Sequence, residues 1–547
     1  MNIKKISPTF TYLVLTVMAL VSSFFYCMWK EINYETDLGQ NFIGQFSFRS
    51  LIWWKNWGLT FIVFFLCFLL ISILGKRFQH VFRAKACSLK FIHFLIPFFL
   101  IGCTWLICFL CYYPGTGMDD TIYIIWNGLG MYQQHPFFYC AFIRGFYQIG
   151  LSLFHTPIAA YATITIIQLL LLDLIVSYSV YLVRKFCGKL FYYVYILYFL
   201  VTPLIALYSI TLVKDTLFAG SILLFICWIK TMIQYRGIFP RQKSFWVFTL
   251  LTLWAVASTR NNGFYVIFLT FLLMSIFYHK KDTLIKMLCL LLGVFLLIKI
   301  PNYIMSHIST NENLYQETVG IPLQQMAYVI ATDGIIEPEE KEYLSQLFDY
   351  EEISSHFNPY TVDAIKWTGI LHNDVLIADK STFWRTYFRL FSHNKGAYIK
   401  EWLLSTCGYW SGIDFSYYNQ HRFFEVKNKD ENIYNKTLLK DTTFEKCNSY
   451  YTKHAAYLSG GACLLLCFLY IALLLRSTHR ENMLLAIPLL GITGTLFLAA
   501  PIALGYRYII AYAFCLPFMF MAGLINADLS DNCDNQFKGE PNEITTN

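Results

Sequence analysis

The amino-acid sequence predicts an all-α polytopic membrane protein of about twelve transmembrane helices. Three observations carry that expectation. Of 547 residues, 57% are hydrophobic and 19% aromatic, while only 14% are charged; a soluble domain carries about 25% charged residues. The apolar residues fall in runs of roughly twenty, the length that crosses a bilayer. Lysine and arginine gather in alternate short loops, as they do on the cytoplasmic side of such proteins.

Taken in order, Phe10–Trp29 follows Lys4-Lys5 and lacks a small-residue cleavage site, so it reads as a first span rather than a signal peptide. Trp57–Gly75 returns to a basic loop with Lys76, Arg77, Arg83, Lys85 and Lys90. These two spans make up residues 1–90. Phe91–Tyr112 exits and opens the membrane module 91–300, placing the loop 113–157 outside. If Pro136–Phe154 also spanned, Arg184, Lys185 and Lys189 would lie outside, against the charge rule. With Arg144 at its centre, it is expected to be an amphipathic helix at the outer interface. Ile158–Val183, Leu190–Ser209, Leu212–Gln234, Phe245–Ser258, Phe264–Tyr278 and Leu284–Ile300 then alternate in direction.

Residues 301–453 are polar enough for a mainly helical extracytoplasmic domain, with an acidic stretch from Glu337 to Asp349. Ala455–Leu475, Met483–Leu504 and Tyr506–Leu524 complete the spans of segment 454–525. The polar tail 526–547 is expected to be disordered in the cytoplasm, where both termini lie. No internal repeat is evident, which argues against a transporter built of two symmetry-related halves.

Composition also narrows the partners. The net charge of +8 is accounted for by cytoplasmic loop anchors, so no nucleic-acid partner is expected. The sixteen cysteines lie mostly inside apolar runs, with no CxxC pair and no Cys/His ligand spacing, so nothing in the sequence argues for a structural zinc or a disulfide scaffold.

The polar residues that suggest chemistry all fall on the outer face. Tyr112-Tyr113-Pro114-Gly115-Thr116-Gly117-Met118-Asp119-Asp120-Thr121 is a polar turn with adjacent carboxylates. One Asp suits the N-cap of a helix beginning at Thr121, which leaves the other free as a base or a metal ligand. His135 opens the interfacial helix. Lys214 and Asp215 begin a span, and sequence neighbours on a helix do not face one another, so they are not a simple ion pair. Arg260-Asn261-Asn262-Gly263 joins two short apolar runs, putting an arginine where only an anion suits it: a phosphodiester or a protein carboxylate. Arg507 lies between Tyr506 and Tyr508 at the start of the last span, either as a second phosphate ligand or as an interface anchor. Tyr409 and Trp410, bounded by glycines, offer faces for a sugar ring or for core packing.

Tyr113-Pro114-Gly115 with Asp120-Thr121 and His135-Pro136 resembles the first external loop of the GT-C glycosyltransferase superfamily. The set that adds Lys214-Asp215-Thr216, Arg260-Asn261-Asn262-Gly263 and Tyr506-Arg507-Tyr508 is similar to an uncharacterised bacterial membrane family described as glucosyltransferase-like. The resemblance spans roughly residues 90 to 525. It implies a polyprenyl-phosphate sugar donor, membrane lipid around it, and an extracytoplasmic acceptor in the cell envelope. It also implies a base at Asp120 with Asp119 beside it, and substrate contacts at His135, Lys214, Asp215, Arg260, Asn261, Asn262, Tyr409, Trp410 and Arg507. The superfamily contains metal-dependent and metal-free enzymes, so magnesium or manganese at Asp119 and Asp120 stays open. The longer motifs of the protein mannosyltransferases and oligosaccharyltransferases have no counterpart here. Two other readings remain: a polysaccharide polymerase or ligase, which would place essential residues such as Arg385, Arg389 and His393 in the late loop, and a lipid-sugar flippase or transporter.

Overall fold

The structure is a computed structural model that describes residues 7–31, 50–78, 83–85, 89–308, 315–413, 427–428, 433–499 and 502–528. Lys4-Lys5, the tail beyond residue 528 and the side chain of Asp119 lie outside the described residues. Among the described residues, nine helices are long and apolar enough to cross a membrane, and Gly263–Phe277 and Gly460–Leu474 are shorter apolar helices. The chain is an all-α multi-pass membrane protein. Its outer surface fits that environment: along Leu51–Phe78, Leu59, Ile62, Val63, Leu66 and Leu70 are all exposed, a patch that a water-soluble protein would hide.

Each run expected to span is helical over most of its described length, with coil at 455–459 and no described helix beyond Leu498 in Met483–Leu504. The 45-residue helix Pro157–Val201 is in fact two, broken at Gly188 with φ 85° and ψ −173°. The hydroxyl of Ser179 donates to that of Tyr195 at 3.3 Å. In one straight helix those residues would stand about 24 Å apart along the axis, so the chain reverses at Gly188. Only glycine occupies that backbone region without strain.

Short strand pairs show which connections share a face. Thr116–Gly117 pairs in parallel with Thr211–Leu212. Bridges join Tyr113 to Lys436 and Thr361 to Ile502. At the other end of the bundle, Arg83–Lys85 pairs in parallel with Asn526–Asp528. The segment Tyr506–Leu524, about 28 Å long as a helix, therefore has Arg507 near one end and the Lys85 strand beside the other. Phe137–Phe154 is itself one of the nine by length and apolarity, and the residues on either side of it reach the paired strands. His135 before it bonds Lys214, and just beyond it the Tyr161 hydroxyl donates to the Thr116 carbonyl at 3.3 Å.

Residues 315–398 pack a separate core around Leu323, Met326, Leu344, Phe348, Phe383 and Leu390. Helix Lys395–Thr406 carries this core back to the membrane helices, where the Trp402 indole donates to the Phe497 carbonyl at 2.8 Å. The core closes near residue 398, so the domain is smaller than the polar stretch 301–453. Helix Lys281–Ile308 takes up its start, and residues 433–438 lie against the first loop.

Replacing Gly188 with Ala should lower the stability of the detergent-solubilised protein by about 1–3 kcal/mol, read as a fall in thermal midpoint. An unchanged midpoint would contradict the hairpin.

Candidate active site

The site is built by a duplicated turn. Thr116-Gly117-Met118-Asp119-Asp120-Thr121 and Thr211-Leu212-Val213-Lys214-Asp215-Thr216 each run from a two-residue strand, through one extended residue, into a helix. The strands pair as Thr116 with Thr211 and Gly117 with Leu212, which sets Asp119 level with Lys214 and Asp120 level with Asp215. This short T-x-x-x-D-T repeat is the signal missed in the sequence. The Thr116 and Thr211 hydroxyls bond at 2.7 Å, and the Thr121 hydroxyl donates to the Leu212 carbonyl. Gln168 pins the second copy by donating to the carbonyls of Ser209 at 3.1 Å and Thr211 at 2.8 Å. Asn435 clamps the first by donating to those of Tyr112 at 3.0 Å and Gly115 at 2.7 Å. The helix begins at Asp119 behind Met118, whose side chain gives no cap. The expected N-cap before Thr121 is thereby corrected: both aspartates sit in the first turn.

Two helix N-termini lie side by side, each with the positive end of its dipole toward the site. Around them runs a chain of charges. Arg260 Nη1 is 2.7 Å from Asp215 Oδ1. Arg507 Nε is 3.9 Å from Asp215 Oδ2, and its Nη1 is 3.6 Å from Asp120 Oδ2. The Asp215 contacts are ion pairs rather than aligned hydrogen bonds, since neither oxygen has a hydrogen-bond partner. Breaking such a buried cluster by removing one partner costs roughly 3–5 kcal/mol. Tyr508, which sequence reasoning quoted but gave no role, lies between the guanidiniums: Arg260 is 4.8 Å and Arg507 4.9 Å from its ring centroid. Its hydroxyl accepts from Arg507 Nη2 at 2.9 Å. Such cation–π contacts favour desolvated guanidiniums.

Exposure separates the two carboxylates. The Asp215 side chain is 1% exposed and those of both arginines 11%, while Asp120 is 36% exposed. Asp215 therefore holds the arginines, and Asp120 is the more accessible of the two carboxylates. Lys214 Nζ lies 3.0 Å from His135 Nδ1. An ammonium has only donors, so Nδ1 accepts and the histidine proton sits on Nε2. Burial, then the charges of Lys214 and Arg507, push the His135 pKa down to about 2.

The remaining expected contacts divide. Tyr409 sets its ring edge against Tyr508 at 6.3 Å, and its hydroxyl donates to the Ile502 carbonyl. Trp410 faces away, stacked on Phe25 at 4.9 Å with its indole donating to Thr406. The glycines beside this patch have a packing reason: a Cβ on Gly460 would come within 2.2 Å of the Gly408 carbonyl oxygen, and one on Gly412 within 2.5 Å of Trp29. Asn262 donates to the Thr495 hydroxyl at 2.7 Å, fixing its loop to helix Ile487–Leu498, and Asn261 is exposed. The site proper is thus Asp120, His135, Lys214, Asp215, Arg260, Arg507 and Tyr508.

Comparison with known proteins adds a family. The model of a family of unknown function, DUF6020, matches residues 130–536, well over half of the chain. The chain belongs to DUF6020. The match takes in His135, Lys214, Asp215, Arg260 and Arg507 and begins after Asp120. No curated protein and no solved structure matches the chain.

With a depressed pKa in the folded state, His135 supports the fold above its ordinary pKa of 6.5 and opposes it below. As pH falls from 6.5 toward 4, the unfolded chain takes a proton that the folded one refuses. The stability of the wild type should decline over that window, and His135→Gln should decline less steeply. Parallel curves in thermal unfolding would refute this.

Proposed function

We propose that this DUF6020 chain is a membrane glycosyltransferase of GT-C type. It moves a sugar, with inversion, from a polyprenyl-phosphate donor to an extracytoplasmic acceptor of the cell envelope. The observation that carries the reading is the pairing of a reachable carboxylate, Asp120, with a guanidinium 3.6 Å away that is tied through buried Asp215 to a second one. The arrangement offers a base on one side and fixed positive charge on the other. Two helix N-termini favour an anion in the same place.

In this reading the Asp120 carboxylate takes the proton of an acceptor hydroxyl. The hydroxyl oxygen forms a bond to the anomeric carbon while the bond from that carbon to the lipid phosphate oxygen breaks. The electron pair leaves with polyprenyl phosphate. Arg260, Arg507 and Lys214 stabilise the charge that gathers on the phosphate, a preorganised electrostatic effect that commonly dominates transfer catalysis. Asp215 and Tyr508 keep the guanidiniums aimed, and His135 holds Lys214. Asn261, exposed at the loop tip, is the member of the Arg260 loop left to touch the donor. Among the described side chains the donors do not fit magnesium or manganese at Asp120, because Arg507 already faces it and Asp215 belongs to the arginines. No step is routed through a metal there.

Twelve spans with both termini cytoplasmic, helix Phe137–Phe154 along the outer interface, and the domain of residues 315–398 holding the acceptor complete the proposal. The strand pairing of Lys85 with the far end of the last span supports that orientation. The polymerase or ligase alternative is less favoured: Arg389 is bound to Glu339 at 2.8 Å and His393 faces Glu337 at 3.4 Å.

Asp120→Asn should insert normally and lower transfer by at least about a hundredfold. Lipid extracts of cells carrying it should accumulate the same polyprenyl-phosphate sugar as cells lacking the protein. Wild-type transfer by this variant would remove the proposed base.

A further inference from the structure

The domain of residues 315–398 contains a second cluster, unrelated to the charges at Asp120. Helix Pro338–Leu347 opens with a capping box: the Glu337 side chain accepts from the backbone of Glu340, and Glu340 Oε2 accepts from the backbone N–H of Glu337 at 2.9 Å. That box uses one oxygen of Glu340. The other, Oε1, is buried without a hydrogen-bond partner, on a residue only 2% exposed. A buried carboxylate oxygen with nothing to accept from is costly and asks for a cation.

His393, the last residue of helix Lys380–His393, stands opposite. One ligand atom from each of Glu337, Glu340 and His393 lies within 4.8 Å of the others. His393 Nε2 and Glu337 Oε1 are 3.4 Å apart. Zinc binds nitrogen and carboxylate oxygen at about 2.0–2.2 Å in a tetrahedron, so two neighbouring ligands stand about 3.4 Å from each other. That pair is already at ligand spacing, and Glu340 needs only a small side-chain adjustment.

The backbone holds this arrangement in place. The Asn394 amide donates to the Ile335 carbonyl at 2.7 Å and accepts from the Ile335 N–H at 2.9 Å. This locks the segment leading into Glu337 against Asn394, the residue that follows His393. Charge agrees as well. The N-cap and first turn hold Glu337, Glu339 and Glu340, with the Arg389 guanidinium bound to Glu339 at 2.8 Å. Two negative charges remain, the number that a divalent cation neutralises.

We propose that Glu337, Glu340 and His393 bind one divalent transition-metal ion, with zinc the best match to one imidazole and two carboxylates. The ion staples the acidic helix to the end of Lys380–His393, and three protein ligands leave a coordination position open toward the exposed side of the domain. This assignment is independent of the transferase reading.

The test uses the full chain purified in detergent, stripped with a chelator and desalted. Zinc should bind with one saturable equivalent by calorimetry and raise the thermal midpoint. Cobalt(II), used as a probe, should give a visible absorption band. His393→Ala, whose native side chain is 35% exposed and which is expected to fold, should weaken zinc at least about tenfold and lose the cobalt band. Glu340→Gln should do the same, and Asp120→Asn should bind zinc like the wild type. Absence of saturable binding, or zinc bound equally well by His393→Ala, would overturn the proposal and leave the carboxylates as a helix cap only.

Discussion

The charged arrangement around the paired turns depends on one buried carboxylate. Asp215 is almost wholly enclosed and lies between two guanidiniums, 2.7 Å from Arg260 and 3.9 Å from Arg507. Each arginine comes from a different part of the chain, one from the turn before Gly263–Phe277 and the other from the start of the last helix. Uncompensated, either charge would be expelled from a low-dielectric interior. Asp215 therefore draws three distant segments to one point, and Tyr508 fills the space between the two cations. Asp120 inherits its setting from this cluster, since Arg507 is shared between both carboxylates.

Much of the architecture was legible in the sequence because the bilayer imposes simple rules. Length and apolarity marked each run as helical, and loop charge alone set Phe137–Phe154 apart as an expected interfacial helix, although its length and apolarity also suit a crossing. The reversal at Gly188 was legible too: Arg184, Lys185 and Lys189 crowd around a glycine. The site was legible in part. A cation or carboxylate next to a long apolar run needs a partner, and that reasoning found Asp120, Lys214, Asp215, Arg260 and Arg507, though not who pairs with whom.

What escaped has identifiable causes. The paired T-x-x-x-D-T turns lie 95 positions apart (Thr116 and Thr211 are their first residues). Six residues are too short a unit to stand out as a repeat without knowledge that the strands touch. Tyr409 and Trp410 look alike in sequence as an aromatic pair, yet adjacent side chains on a tight turn point in different directions, and only the first meets Tyr508. Of their flanking glycines, Gly412 lies against the Trp29 ring and Gly408 against the backbone at Gly460, so both serve packing. The acidic stretch from Glu337 to Asp349 received no role, because nothing in the spacing shows that His393, more than fifty residues beyond Glu337, faces its start.

The clamp from Asn435 carries a mechanical meaning. The stretch 433–438 grips the Tyr112–Gly115 turn through the Asn435 amide and through backbone bonds from Lys436 to Tyr113 and from Leu438 to Leu110. Asp120 is five residues downstream of that grip. A displacement of that late segment is thus conveyed over a few bonds to the turn that carries the carboxylate.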